Sequence, residues 1–135
     1  LMQSADLLGA EMLVVAPKGY QPRKEVLAKL KNGHKKRIIT ANPKVSLSNV
    51  DFIYTDAWVS MGQEGMKKQK KIFRPYQVNN GLLKSATSKV MVMHCLPAHR
   101  GEEITDEVID GPNSIVWDQA ENRLHLQKAL LAALL

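Results

Sequence analysis

Val90-Met91-Val92-Met93-His94-Cys95-Leu96-Pro97-Ala98-His99-Arg100-Gly101 is the stretch on which the fold turns. Four apolar residues run into a His-Cys pair, then a Leu-Pro stop, then a second His, an Arg and a Gly. A short, partly β-branched apolar run suits a strand buried on both faces of a parallel sheet. Pro97 has no N–H for a ladder, so the strand is expected to end near Leu96. His94, Cys95 and Leu96 then lie at the carboxyl end of a strand, the edge of an open α/β sheet where ligands bind.

Working outward, other short apolar runs read as strands: Met12 to Ala16, Arg37 to Thr40, Asp51 to Thr55 and Ser114 to Trp117. Helical patterns separate them. They are expected at residues 1–9, from Pro22 to Asn32-Gly33, from Glu64 to Lys71, from Tyr76 to Ala86, and from Ile104 to Ile109. A last helix is expected from an Asp118 N-cap, with Glu121 in capping-box spacing, to about Leu134. Strands alternating with helices imply an α/β fold: a Rossmann-like parallel sheet with helices on both faces.

The 135 residues suffice for one compact domain, here residues 1–135. A hydrophobic share of 44% beside 24% charged residues is that of a globular chain. No apolar run reaches the ~20 residues of a membrane helix, so no membrane partner is expected. A single cysteine excludes an internal disulfide and fits a reducing, cytoplasmic setting. The net charge of +6 is compatible with anionic ligands, and much of the excess sits in Lys35-Lys36-Arg37 and Lys67-Lys68-Gln69-Lys70-Lys71. Aromatics make up only 5% and are not interleaved with these runs, which argues against a nucleic-acid platform. No metal-ligand spacing, Gly-rich phosphate loop or G-x-S-x-G elbow is present, and no cofactor is expected.

Three strand ends carry residues of catalytic type: Asp56, the His94-Cys95 pair, and Asp118 to Arg123 beyond Trp117. Neighbouring strands lie about 5 Å apart, so a carboxylate, a thiol, an imidazole and a guanidinium can meet on one edge. Each also has a plain structural reading. Cys95 fits an inert buried thiol, His94 a hydrogen-bonded structural imidazole, Asp56 a turn cap, and Arg123 a partner for Glu121 or Asp118. From the residues alone, the chain is an α/β domain with a ligand site at its strand ends.

Three segments carry a resemblance that goes further. Asp56-Ala57-Trp58-Val59-Ser60-Met61-Gly62 resembles the D-x-W-x-S-M-G segment of ornithine carbamoyltransferases. His94 to Gly101 resembles their H-C-L-P-A-H-R-G segment, and Ala120-Glu121-Asn122-Arg123-Leu124-His125 the A-E-N-R-x-H start of their last helix. The S-M-G and H-C-L-P pair separates the chain from aspartate carbamoyltransferases. The resemblance covers the chain from about residue 1 to its end and implies the carboxyl-terminal, ornithine-binding half, without its first strand.

The implied reaction carries a carbamoyl group from carbamoyl phosphate to the side-chain amine of L-ornithine, giving citrulline and phosphate. The resemblance assigns the ornithine α-amino group to Asp56 and amino-acid binding to Ser60 and Met61 on a mobile loop. It puts Cys95 near the reacting amine, the Leu96 carbonyl near the carbamoyl NH2, and Arg123 with His94 on the carbamoyl oxygen. The basic run at 67–71 becomes the outer face of that lid. The carbamoyl-phosphate domain, with its S-x-R-T loop, and the D-G-N-N strand are expected upstream of Leu1, and a trimer is the expected assembly. A carbamoyltransferase for putrescine or N-acetylornithine, or a non-catalytic amino-acid-binding module, is the alternative.

Overall fold

A computed structural model describes residues 1–30, 37–59 and 67–135. It divides into two compact units, Leu1–Val45 and Ser46–Leu135.

The first unit opens with α1 (Met2–Leu8), which ends on Gly9 at φ 70°, ψ 23°. That left-handed conformation is free for glycine and lets the Gly9 N–H cap the Ala5 and Asp6 carbonyls. Two strands follow, β1 (Met12–Val15) and β2 (Arg37–Thr40), parallel with Met12 opposite Arg37 and Val15 opposite Thr40. Between them α2 spans Lys24–Ala28. The expected continuation of that helix to Asn32-Gly33, and the Lys35-Lys36 pair, lie outside the described residues. Asp6, buried on α1, sits 3.7 Å from the Arg37 guanidinium at the start of β2.

The second unit is built on β3 (Phe52–Thr55) and β4 (Met91–His94), also parallel, in the register Phe52↔Met91 through Thr55↔His94. The α/β class and the parallel pairing agree with expectation; the ladders are two-stranded, one in each unit. Val92 is wholly buried in the middle of β4. Around it pack Val78, Ile104, Val108, Ile109 and Val116, with Ile53, Leu82, Leu83, Leu96 and Ala98 partly buried at the margin. Each fully buried aliphatic side chain contributes about 1.5–3 kcal/mol relative to exposure, so this cluster anchors the loop that follows β4.

Three expectations are corrected here. The strand at Ser114 to Trp117 is reduced to a single bridge, Ser114 to Val92, held by Val92 N–H to Asn113 O (2.8 Å) and Ile115 N–H to Val92 O (2.9 Å). The helix α6 then takes over at once, Val116–Leu134. Val116 goes into the core and Trp117 is 55% exposed, and both already have helical backbone. The N-cap is consequently Ile115; Asp118 lies inside the first turn, where its charge still complements the helix dipole, and Glu121 pairs with His125 at 3.2 Å.

The helix expected from Tyr76 to Ala86 is also broken up. A 3-10 turn occupies Arg74–Tyr76, and Val78 then bridges to Ile104 through Val78 N–H to Glu103 O (2.8 Å) and Thr105 N–H to Val78 O (3.1 Å). Only Asn80–Leu83 is helical (α4), capped by Asn79 Oδ1, which accepts from Leu82 N–H at 3.0 Å. Burying Val78 and capping with Asn79 outweighs the intrinsic preference for one continuous helix. Ahead of this, α3 covers Lys67–Phe73, and its Gln69 side chain donates to the Trp58 carbonyl at 2.8 Å. Within the basic run, Lys70 is paired with Glu102.

The short helix α5 (Asp106–Ile109) closes at Gly111, where a Cβ would collide with the Glu107 carbonyl oxygen. Arg100 spans both ends of this helix, bonded to Asp106 at 2.8 Å and to Asp110 by two contacts at 2.5 and 3.0 Å.

Candidate active site at the ends of two parallel strands

The register explains how the site forms. Thr55 and His94 are the last paired residues, so the next residue on each strand, Asp56 and Cys95, leaves the sheet side by side. Cys95 Sγ donates to Asp56 Oδ1 at 2.9 Å, and the same oxygen accepts the Ala57 N–H at 2.7 Å. Two residues back on β3, Tyr54 shares a face with Asp56 because side chains alternate along a strand. Its phenol is coupled electrostatically to Cys95 and to the Gln119 side chain. Gln119, in the first turns of α6, also accepts the His94 N–H at 3.1 Å, which ties the helix start to the strand end.

Electrostatics fixes the state of the thiol. Burial pushes the Cys95 pKa above its ordinary value, and the hydrogen bond to Asp56 and that carboxylate's charge push it the same way; Tyr54 opposes them. Tyr54 is likewise raised, by burial first and then by Cys95 and Asp56. At neutral pH the site therefore presents a thiol and a phenol as donors beside one carboxylate. A cation, such as an ammonium, fits next to Asp56; a thiolate nucleophile does not.

His94 goes elsewhere. Alternation turns it to the opposite face from Cys95, and it is 1% exposed. Its Nδ1 accepts the Leu96 N–H at 2.9 Å, so Nδ1 carries no proton. The remaining ring N–H, at Nε2, faces Glu103 Oε1 at 3.1 Å. Both ring nitrogens are thus engaged within this half, one by the Leu96 N–H and one by Glu103. Leu96 follows at φ 53°, in the left-handed region, with a cis bond to Pro97.

Arg123 is exposed on α6 and makes no hydrogen bond or ion pair with the described residues. It lies one helical turn beyond Gln119, so the two share a stripe of the helix about 6 Å apart along the axis. Thus Asp56 and Cys95 are in contact, Leu96 follows Cys95 in the chain, Arg123 lies on the Gln119 side of α6, and His94 is withdrawn. Ser60 and Met61 lie outside the described residues, as does the start of the helix expected at Glu64.

Reasoning from sequence missed Tyr54, Gln119 and Glu103. For Tyr54 a signal existed, the two-residue spacing to Asp56. Gln119 sat at helical spacing from Arg123. Glu103 had none: a glutamate four residues after His99 in a polar run reads as surface, yet it is fully buried. Among the described residues no group of His, Cys, Asp and Glu is arranged to hold a metal ion, and no helix is long and apolar enough to cross a membrane.

Residues 1–134 match the domain family described as aspartate/ornithine carbamoyltransferase, Asp/Orn binding domain. The chain belongs to that family. Its relatives agree. The ornithine carbamoyltransferase of Pyrococcus horikoshii is 52% identical over the whole chain, and that of Archaeoglobus fulgidus 51%, each with 44% of its own length covered. The solved ornithine carbamoyltransferase of Pyrococcus furiosus is 51% identical with a TM-score of 0.87 over 96% of this chain and 43% of that one. A solved N-acetyl-L-ornithine transcarbamylase is 25% identical, with a TM-score of 0.77. The chain thus spans under half the length of these carbamoyltransferases and corresponds to their amino-acid-binding domain.

Proposed function

We propose that this chain is the ornithine-binding half of a carbamoyltransferase that transfers the carbamoyl group of carbamoyl phosphate to the side-chain amine of L-ornithine, releasing citrulline and phosphate. The contact between Asp56 and Cys95 carries the reading: a carboxylate with a protonated thiol against it, open at a parallel-strand edge. In this reading Asp56 holds the α-ammonium of ornithine, and Ser60 and Met61 line its side of the site. Cys95 and the Leu96 carbonyl flank the reacting groups, and Arg123 neutralises charge growing on the carbamoyl oxygen, a contribution of oxyanion-hole type.

The attacking amine must be neutral, although a free alkyl amine is protonated at pH 7. The single thiol proton is already given to Asp56, so Cys95 does not take that proton but faces the amine with a sulfur lone pair. The ammonium releases its proton to solvent on binding, the N–H proton lost on transfer leaves with the phosphate, and Asp56 fixes the other end of the substrate. The phosphate-binding residues belong to a second domain, and the working enzyme is a cytoplasmic trimer. An acylated α-amino group would leave Asp56 without a cation, which favours ornithine over N-acetylornithine. Putrescine keeps a second ammonium and lacks only the α-carboxylate, so Asp56 by itself does not separate it from ornithine.

The test uses the complete enzyme containing this half. Asp56→Asn is expected to raise the KM for ornithine, and Arg123→Ala to lower kcat about 10²–10³-fold, with secondary structure unchanged. Unaltered citrulline formation in both variants would overturn the assignment. Binding of ornithine without any turnover in the complete, folded enzyme would favour a binding module instead.

A further inference from the structure

Leu96 has an improbable backbone. A leucine at φ 53° occupies a region that side chains beyond glycine rarely adopt, so the surroundings must hold it there. What holds it is the His94 imidazole, whose Nδ1 accepts the Leu96 N–H at 2.9 Å. That acceptor exists only while the ring proton sits on Nε2, and Glu103 Oε1 faces Nε2 at 3.1 Å. The same oxygen takes the His99 N–H at 2.6 Å. Both side chains are fully buried, so neither is averaged by solvent. Glu103 is in turn fixed through its backbone carbonyl, which accepts the Val78 N–H at 2.8 Å. Its second oxygen, Oε2, has no hydrogen-bond partner among the described residues and lies 3.8 Å from His99 Nδ1.

We propose that Glu103 is a positioning residue of the active site: by accepting from His94 Nε2 and from the His99 amide it fixes the His94 tautomer and so the Leu96 backbone beside Cys95. A buried carboxylate is a costly way to make a loop, and an apolar residue would pack there at less expense in desolvation. What only an acceptor can do is choose the tautomer. A reversed imidazole would set an N–H against the Leu96 N–H and expel Leu96 from its conformation. The consequence for chemistry, which rests on the carbamoyl-transfer reading, is that the Leu96 carbonyl and the Cys95 thiol are preset before substrate arrives.

Three measurements on the complete enzyme test this. In histidine-selective 15N spectra, His94 is expected to show an unprotonated Nδ1 and a protonated Nε2 in the unaltered protein. Glu103→Gln keeps an acceptor oxygen and is expected to retain that tautomer and to hold kcat within about threefold. Glu103→Leu is expected to lose the tautomer, to speed hydrogen exchange at the Leu96 amide, and to lower kcat roughly 10- to 100-fold through misplacement of the site. A proton on Nδ1 in the unaltered enzyme overturns the proposal even where no variant folds. So does a folded Glu103→Leu that keeps the tautomer and full kcat. The spectra and exchange rates do not depend on the reaction, so normal spectra without citrulline formation would count against the carbamoyl-transfer reading and leave the positioning role standing.

Discussion

Cys95 Sγ donates to Asp56 Oδ1 over 2.9 Å, although 39 residues separate the two in the chain. Parallel pairing of Thr55 with His94 makes the contact, because each partner is followed at once by one member of the pair. Burial first, and then this neighbour that the fold supplies, push the thiol pKa up.

The first prediction concerns that thiol. Cys95 is the single cysteine of these 135 residues, so alkylation of this chain by iodoacetamide reports on it alone. Reaction is expected to be slow at pH 7.5 and to rise only above the ordinary thiol range, since the raised pKa depletes thiolate. Asp56→Asn removes a charge that raises it and should speed alkylation at pH 8 several-fold. Tyr54→Phe removes a hydroxyl whose influence lowers it and should slow the reaction. Equal rates in all three proteins would refute the coupling.

Alkaline stability follows from the same groups. Cys95 and Tyr54 both have raised pKa values in the folded state. As pH climbs through their ordinary values, about 8.5 and about 10, the unfolded chain releases protons before the folded one. The unfolded state then binds fewer protons, so stability falls with rising pH. The contribution is complete below the ordinary thiol value and is lost as pH passes the folded values. Urea midpoints at pH 7.5 and pH 10 should show the decline, and Cys95→Ser should make it shallower.

Gly111 is a steric requirement. A Cβ there meets the Glu107 carbonyl oxygen, which is backbone and cannot swing away. Gly111→Ala is expected to destabilise by about 1–3 kcal/mol, in the range of overpacking. Chemical denaturation gives the number, and a neutral or stabilising change would mean that α5 relaxes freely.

In the core, Ile104 is wholly buried and packs with Val78, Val92 and Val108. Ile104→Ala is expected to cost about 2–5 kcal/mol, whereas Ile104→Val should cost about 0.5–1.5. Because Ile104 also bridges Val78 and Arg100 beside Glu103, the alanine variant should loosen the loop after β4, read as faster amide exchange at His99 and Gly101. Unchanged exchange in a destabilised variant would separate the core from the loop.

Much of this protein was legible in the chain itself. Short β-branched runs closed by Pro or polar residues specify β1 to β4, because a strand's signal is local: which side chains alternate or stay apolar over four or five residues. Asp56 and Cys95 were legible as candidates for the same reason, each being a polar residue of catalytic type at the end of such a run. What sequence misjudged depended on competition between distant partners. Ile115-Val116-Trp117 has strand composition, yet the backbone is helical from Val116, whose side chain enters the core, so α6 begins where a strand was expected. His94 and Cys95 are equally plausible site residues by type, and only the pleat and the buried Glu103 send one into the core and leave the other at the edge. The sequence alone determined which residue types stand at the strand ends. Tertiary structure decided which of them meet, because the meeting requires register between strands and a buried acceptor whose location no local pattern encodes.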